Sequence, residues 1–114
     1  TNQAGIGKKI FTLDSFKKLH IKLKKKFTNK SIFINDVEYS PFHKDAKILK
    51  YKKISNFRKP GNLMIKSLFK NWDIKREGSF MIGDKKSDFL AAKKSNLKFY
   101  YVDADFFKQI RSIV

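Results

Sequence analysis

Ser79-Phe80-Met81-Ile82-Gly83-Asp84-Lys85-Lys86-Ser87-Asp88-Phe89-Leu90-Ala91-Ala92 is the stretch on which the fold turns. Residues 79–82 read as a short buried strand. Its apolar run stops at Gly83-Asp84, and a helix is predicted over 87–95, carrying Phe89, Leu90, Ala91 and Ala92. A second strand is predicted at 98–102, Lys-Phe-Tyr-Tyr-Val, and a last helix at 106–113. Strand, helix, strand in that order argues for a parallel βαβ unit.

Upstream, Leu13, Phe16, Leu19, Leu23 and Phe27 recur at spacings of three and four, which predicts an amphipathic helix over 12–27. Thr12 is placed to cap it, Asp14 lies in its first turn, and Lys24-Lys25-Lys26 suits the negative end of its dipole. His20 reads as a boundary residue of that helix. A strand is predicted at 31–39 from Ile32, Phe33, Ile34, Val37 and Tyr39, and a long polar loop at 40–57. Residues 60–72 read as a helix with Pro60 in its first turn. The expected fold is α/β, a Rossmann-like three-layer α/β/α arrangement on a parallel sheet. Three strands are thin for that class, and the chain opens without Met on a loop-like string. We therefore expect one partial domain over 1–114, incomplete at its N-terminus.

The 114 residues suit one modest domain, and 41% hydrophobic content with 12 Phe excludes a disordered tail. The absence of Cys excludes a disulfide scaffold, a thiolate zinc site and a cysteine nucleophile. No apolar run approaches the roughly 18–20 residues needed to cross a bilayer, and no signal-peptide pattern opens the chain. A cytoplasmic, monomeric protein with no membrane partner is the expectation. The net charge of +17 raises a nucleic-acid reading. Yet only Arg58, Arg76 and Arg111 are Arg, and the Lys are spread through every segment, so a nucleic-acid or anion-binding module is the alternative and not the choice.

Three strings fall where an open α/β sheet places its ligands, near the carboxyl ends of strands. Thr1-Asn2-Gln3-Ala4-Gly5-Ile6-Gly7 offers a hydroxyl, two side-chain amides and Gly-enabled backbone N–H groups to an anion; an ordinary Gly-containing turn is the plain alternative. Arg58-Lys59-Pro60-Gly61 sets two cations before a helix, a ready anion site or simply a basic helix start. Gly83-Asp84 at a strand tip, with Asp88 four residues on, suits a divalent cation, or a helix cap with an acid in its first turn.

Taken together the three strings resemble the haloacid dehalogenase (HAD) superfamily of phosphatases, and within it the branch of heptose bisphosphate phosphatases and histidinol-phosphatases. The first string and its continuation Lys9-Ile10-Phe11-Thr12-Leu13-Asp14-Ser15-Phe16 are similar to that branch's second motif. Phe57-Arg58-Lys59-Pro60 is similar to the third, and residues 83–92 to the fourth. The resemblance implies that Thr1 hydrogen-bonds the transferring phosphoryl group, with Asn2 and Gln3 lining the pocket. It implies that Lys59 neutralises the phosphoryl charge, that Arg58 and Lys85 contact substrate, that Asp84 binds Mg2+, and that Asp88 supports the site. The implied function is Mg2+-dependent hydrolysis of a sugar phosphate: the 7-phosphate of heptose 1,7-bisphosphate first, histidinol phosphate second.

Two departures from the family pattern matter. Its nucleophile lies in an Asp-x-Asp motif on the first strand, and no such Gly-followed pair occurs here. Asp103-Ala104-Asp105 has the spacing but follows the last predicted strand, with Phe106 in place of Gly. The expectation is that the pair lies upstream of Thr1 and that residues 1–114 alone form no aspartyl-phosphate. Many relatives also carry a zinc loop. Here its ligand positions read Ser40-Pro41-Phe42 and Ser55-Asn56-Phe57, with His43 adjacent and alone, so no zinc is expected and Phe42 and Phe57 are expected to pack the loop of 40–57 instead.

Overall fold

The computed structural model describes all residues, 1–114. The chain forms two compact units, Thr1–Arg58 and Lys59–Val114, each considered by itself. No helix is long and apolar enough to cross a membrane.

In the first unit, Thr1–Gln3 lead directly into a helical turn, α1 (Ala4–Gly7), where a loop was expected. Gly7 is required there. A Cβ on it would lie 2.5 Å from the Pro41 carbonyl oxygen, and its own carbonyl accepts from Lys47 N and Ile48 N. The amphipathic spacing becomes α2 (Leu13–Thr28), which begins where the sequence places it. Thr12 Oγ1 accepts from Ser15 N at 3.0 Å, and Ser15 Oγ accepts from Thr12 N at 3.2 Å, so two orphan donors are satisfied reciprocally. Phe16 is the buried anchor of α2, with its ring 4.3 Å from His20 and 5.0 Å from Tyr39.

The strand predicted at 31–39 does not form. The segment starts in a turn, carries no strand ladder, and leaves Phe33 73% exposed. A strand needs a neighbour for its N–H and C=O groups. Here the neighbour reaches only the end of the segment: Thr1 N donates to Glu38 O, Ser40 N to Thr1 O and Gln3 N to Ser40 O, at 2.8–2.9 Å. Asn2 and Ser40 thereby make one parallel bridge. Residues 41–57 are irregular as expected, with one turn of 3₁₀ helix at Leu49–Tyr51. Phe42 packs edge-on against Tyr51 and Phe57, at ring-centroid distances of 5.8 and 6.3 Å, and Lys53 lies over the Phe42 ring.

In the second unit α3 spans Leu63–Asn71. Pro60 lies outside it, a correction to the reading of 60–72, because 60–62 are engaged elsewhere. The parallel βαβ unit is present: β1 (Phe80–Gly83), α4 (Lys86–Lys94) and β2 (Lys98–Tyr101), with Phe80 opposite Lys98 and Gly83 opposite Tyr101. Ala91 and Ala92 are fully buried, which lets α4 lie close on the two strands. T-shaped pairs Phe80–Tyr100 and Phe89–Phe99 fill either side. The sheet has two strands, not three. Helix α5 (Phe106–Ile113) closes the chain, capped by Asp105, whose side chain accepts from Lys108 N.

Candidate functional site

The tip of β1 organises the second unit's site. Asp88 sits in the first turn of α4 and is only 4% exposed. Three donors converge on its carboxylate. Lys59 Nζ pairs with Oδ1, while Asp84 N and Lys85 N donate to Oδ2 at 3.2 and 3.0 Å. Burial alone would raise the Asp88 pKa. The Lys59 ammonium and the two amides outweigh it and hold the carboxyl below its ordinary range. Gly83 makes this approach possible, since a Cβ there would lie 2.6 Å from Asp88 Oδ2 and 2.7 Å from its Cγ. A Gly ends the strand here because the acid needs the space.

Lys59, Asp84, Lys85 and Asp88 are thus gathered by two loops and one helix start. Asp84 and Lys85 are exposed at the strand's carboxyl end, while Lys59 and Asp88 lie beneath. Asp88 has both oxygens engaged by protein donors, which leaves Asp84 as the carboxylate able to face a cation. No third His, Asp or Glu joins them in a metal cluster. Mg2+ is commonly held by one or two carboxylates, waters and substrate phosphate oxygens. The residues present fit one protein ligand of such a set, with Asp84 the exposed carboxylate at the strand tip.

In the first unit, Gln3 Nε2 donates to Thr1 Oγ1 at 3.0 Å, so the hydroxyl and amide of the first string are oriented together. Ser40 is the residue that sequence reasoning missed. It is fully buried, and its backbone holds both Thr1 and Gln3 in place. Its signal was slight, a small residue between Tyr39 and Pro41. Arg58 Nη1 is buried with no hydrogen-bond partner, and Ser40 Oγ likewise. A buried guanidinium donor left unsatisfied is costly, and an anion would satisfy it. His43 accepts from Asp45 N through Nδ1 at 3.0 Å. Partial burial, then the charges of Lys8 and Arg58, push its pKa below the ordinary imidazole value, against the pull of Asp45.

Asp103 and Asp105 are committed to a turn: Asp103 Oδ1 accepts from Ala104 N at 2.6 Å, and Asp105 caps α5.

Residues 56–110 match the HAD-hydrolase-like family model. The chain is 34% identical to a D-glycero-beta-D-manno-heptose-1,7-bisphosphate 7-phosphatase of Rhodopseudomonas palustris, over 96% of this chain and 63% of that protein. It is 35% identical to a D-glycero-alpha-D-manno-heptose-1,7-bisphosphate 7-phosphatase of Burkholderia mallei, over 85% of this chain and 51% of that protein. The chain thus spans about half to three-fifths of the length of these curated relatives. Its backbone is similar to a crystal structure described as a HAD-like phosphatase from Mesorhizobium loti, with a TM-score of 0.83 over 92% of this chain and 51% of that one, at 24% identity. That likeness bears on the fold, and it agrees with the Rossmann-like α/β class.

Proposed function

We propose that this chain, which matches the HAD-hydrolase-like family model over residues 56–110, forms part of a Mg2+-dependent sugar-phosphate phosphatase, acting on the 7-phosphate of heptose 1,7-bisphosphate. Both units are read as portions of one phosphatase domain, in a cytoplasmic monomer that uses no zinc. The observation that carries the proposal is the Lys59–Asp88 pair set beneath the exposed Asp84 at the tip of β1.

Phosphoryl transfer asks the protein for positioning and charge stabilisation more than for covalent chemistry. Lys59, fixed by Asp88, supplies a localised positive charge to the equatorial oxygens. By the resemblance, Thr1 would donate its hydroxyl to a phosphoryl oxygen, with Asn2 and Gln3 lining the pocket. Arg58 offers its unsatisfied Nη1 to a substrate anion, and Lys85 adds an exposed cation. Asp84 would hold Mg2+, which would supply charge neutralisation to the phosphoryl oxygens. The Asp103–Asp105 pair is engaged in local backbone bonds and is not assigned as the nucleophile.

The test is phosphate release by the whole protein from heptose 1,7-bisphosphate and from histidinol phosphate, with Mg2+ and with a chelator. We expect release from the heptose ester, faster than from histidinol phosphate and abolished by the chelator. Preference for histidinol phosphate would move the substrate assignment. Release unaffected by the chelator would remove the metal.

A further inference from the structure

We infer that Asn62 and Ser95 form a positioning tie for Lys59, holding the bend at 59–62 against the far end of α4 so that the ammonium stays presented beside Asp88. The catalytic consequence rests on the phosphatase proposal; the tie itself does not.

Asn62 is the N-cap residue of α3, and Asn is among the best caps, worth about 1 kcal/mol over Ala. Yet its side chain makes no capping bond to α3. Its Nδ2 donates instead to Ser95 Oγ at 3.2 Å, 33 residues away. The side chain is thus oriented toward Ser95 and not over the first turn of α3.

Ser95 is a fixed anchor. It is buried, its amide donates to Ala91 O and Ala92 O at the end of α4, and its carbonyl accepts from Arg76 Nη1. Arg76 is itself held, with its guanidinium 4.3 Å from the centroid of the Phe69 ring. Alongside, Lys94 Nζ donates to Pro60 O at 3.0 Å. The bend is therefore fastened at both ends of one helix: through Lys59 to Asp88 in its first turn, and through Pro60 and Asn62 to Lys94 and Ser95 at its last. Lysine is a flexible point charge that loses roughly 2 kcal/mol of rotamer freedom when ordered. Fixing the backbone from which it projects limits where the ammonium can go, and this is the task the tie performs.

Asn62→Ser puts another good N-cap residue at the start of α3 but is too short to reach Ser95. Ser95→Ala removes the acceptor. In the whole protein each is expected to lower kcat and kcat/KM together by about tenfold or more, the signature of a charge misplaced in the transition state. The double variant is expected to fall no further than either single one. In Ser95→Ala the backbone amide resonances of Lys59, Gly61 and Asn62 are expected to shift, although the substitution lies 33 or more residues away in sequence. The melting temperature of Asn62→Ser is expected to stay at the wild-type value, because Ser is also a good N-cap. Unshifted amides at 59–62 in Ser95→Ala overturn the tie, and shifted amides with wild-type kcat overturn its catalytic role. If no form of the protein hydrolyses a phosphate ester, the phosphatase proposal fails, while the amide shifts still decide the tie.

Discussion

Asp88→Asn is expected to destabilise the protein by about 3 kcal/mol, the lower part of the range for breaking a buried ion pair, because Lys59 keeps some contact with solvent. The two side chains are 18% and 5% exposed. Three donors meet the Asp88 carboxylate: the Lys59 ammonium and the amides of Asp84 and Lys85. An ionised carboxylate accepts from all of them. An asparagine has one acceptor oxygen and must turn its own NH2 toward the remaining donors. The Lys59 charge then lies in a part-buried place without its counter-charge, and the loop from Gly83 to Lys85 loses its anchor. Denaturant unfolding near neutral pH measures the loss.

The pH dependence follows from the same bonds. In the folded state the Asp88 pKa lies below its ordinary value, so the unfolded chain takes up a proton at higher pH than the folded one. The stabilisation is fully present above the ordinary aspartate range and is lost as pH falls through the folded value. The wild-type protein is expected to show an acid limb from this group, and Asp88→Asn is expected to flatten it. An unchanged acid limb would mean that the pair does not hold in solution.

Asp84→Asn is expected to do the opposite: to leave stability within about 0.5 kcal/mol, as an exposed substitution does, while reducing turnover about a thousandfold. Asp84 is exposed, and it is its backbone amide, retained in the variant, that binds Asp88. The carboxylate is assigned to Mg2+, and losing a cation that stabilises several kcal/mol of transition-state charge corresponds to a rate loss of that order. Steady-state phosphate release and thermal melting on the same samples separate the two effects. Full turnover in Asp84→Asn would remove the metal role from this residue.

Much of this was legible in the sequence because the relevant forces are local. Thr12 caps α2 through Ser15, three residues on, and the Leu and Phe spacing names the buried face. The run from β1 through α4 to β2 is written in its apolar strands and Gly83. Residues 31–39 misled because alternating Ile, Phe and Val report a capacity to pair, whereas pairing depends on a neighbour that residues 1–3 supply only at Glu38 and Ser40. Pro60 misled because its fixed φ suits a first helical turn, while its carbonyl is held by Lys94 and the next residue but one by Ser95. The acids and cations of the site could be picked out by type. What they rest on could not: the tie from Asn62 to Ser95 and the buried hold of Ser40 on Thr1 and Gln3 link residues 33 or more positions apart, which no local pattern announces.

The most direct test is amide chemical-shift mapping of the whole protein with orthovanadate, in the presence and absence of Mg2+. We expect the largest perturbations at residues 1–3, 58–59 and 83–85, with those at Asp84 dependent on Mg2+. Perturbations centred instead on α5 or on the lysines of α2, or none at all at these three strings, would contradict a phosphoryl site at the tip of β1.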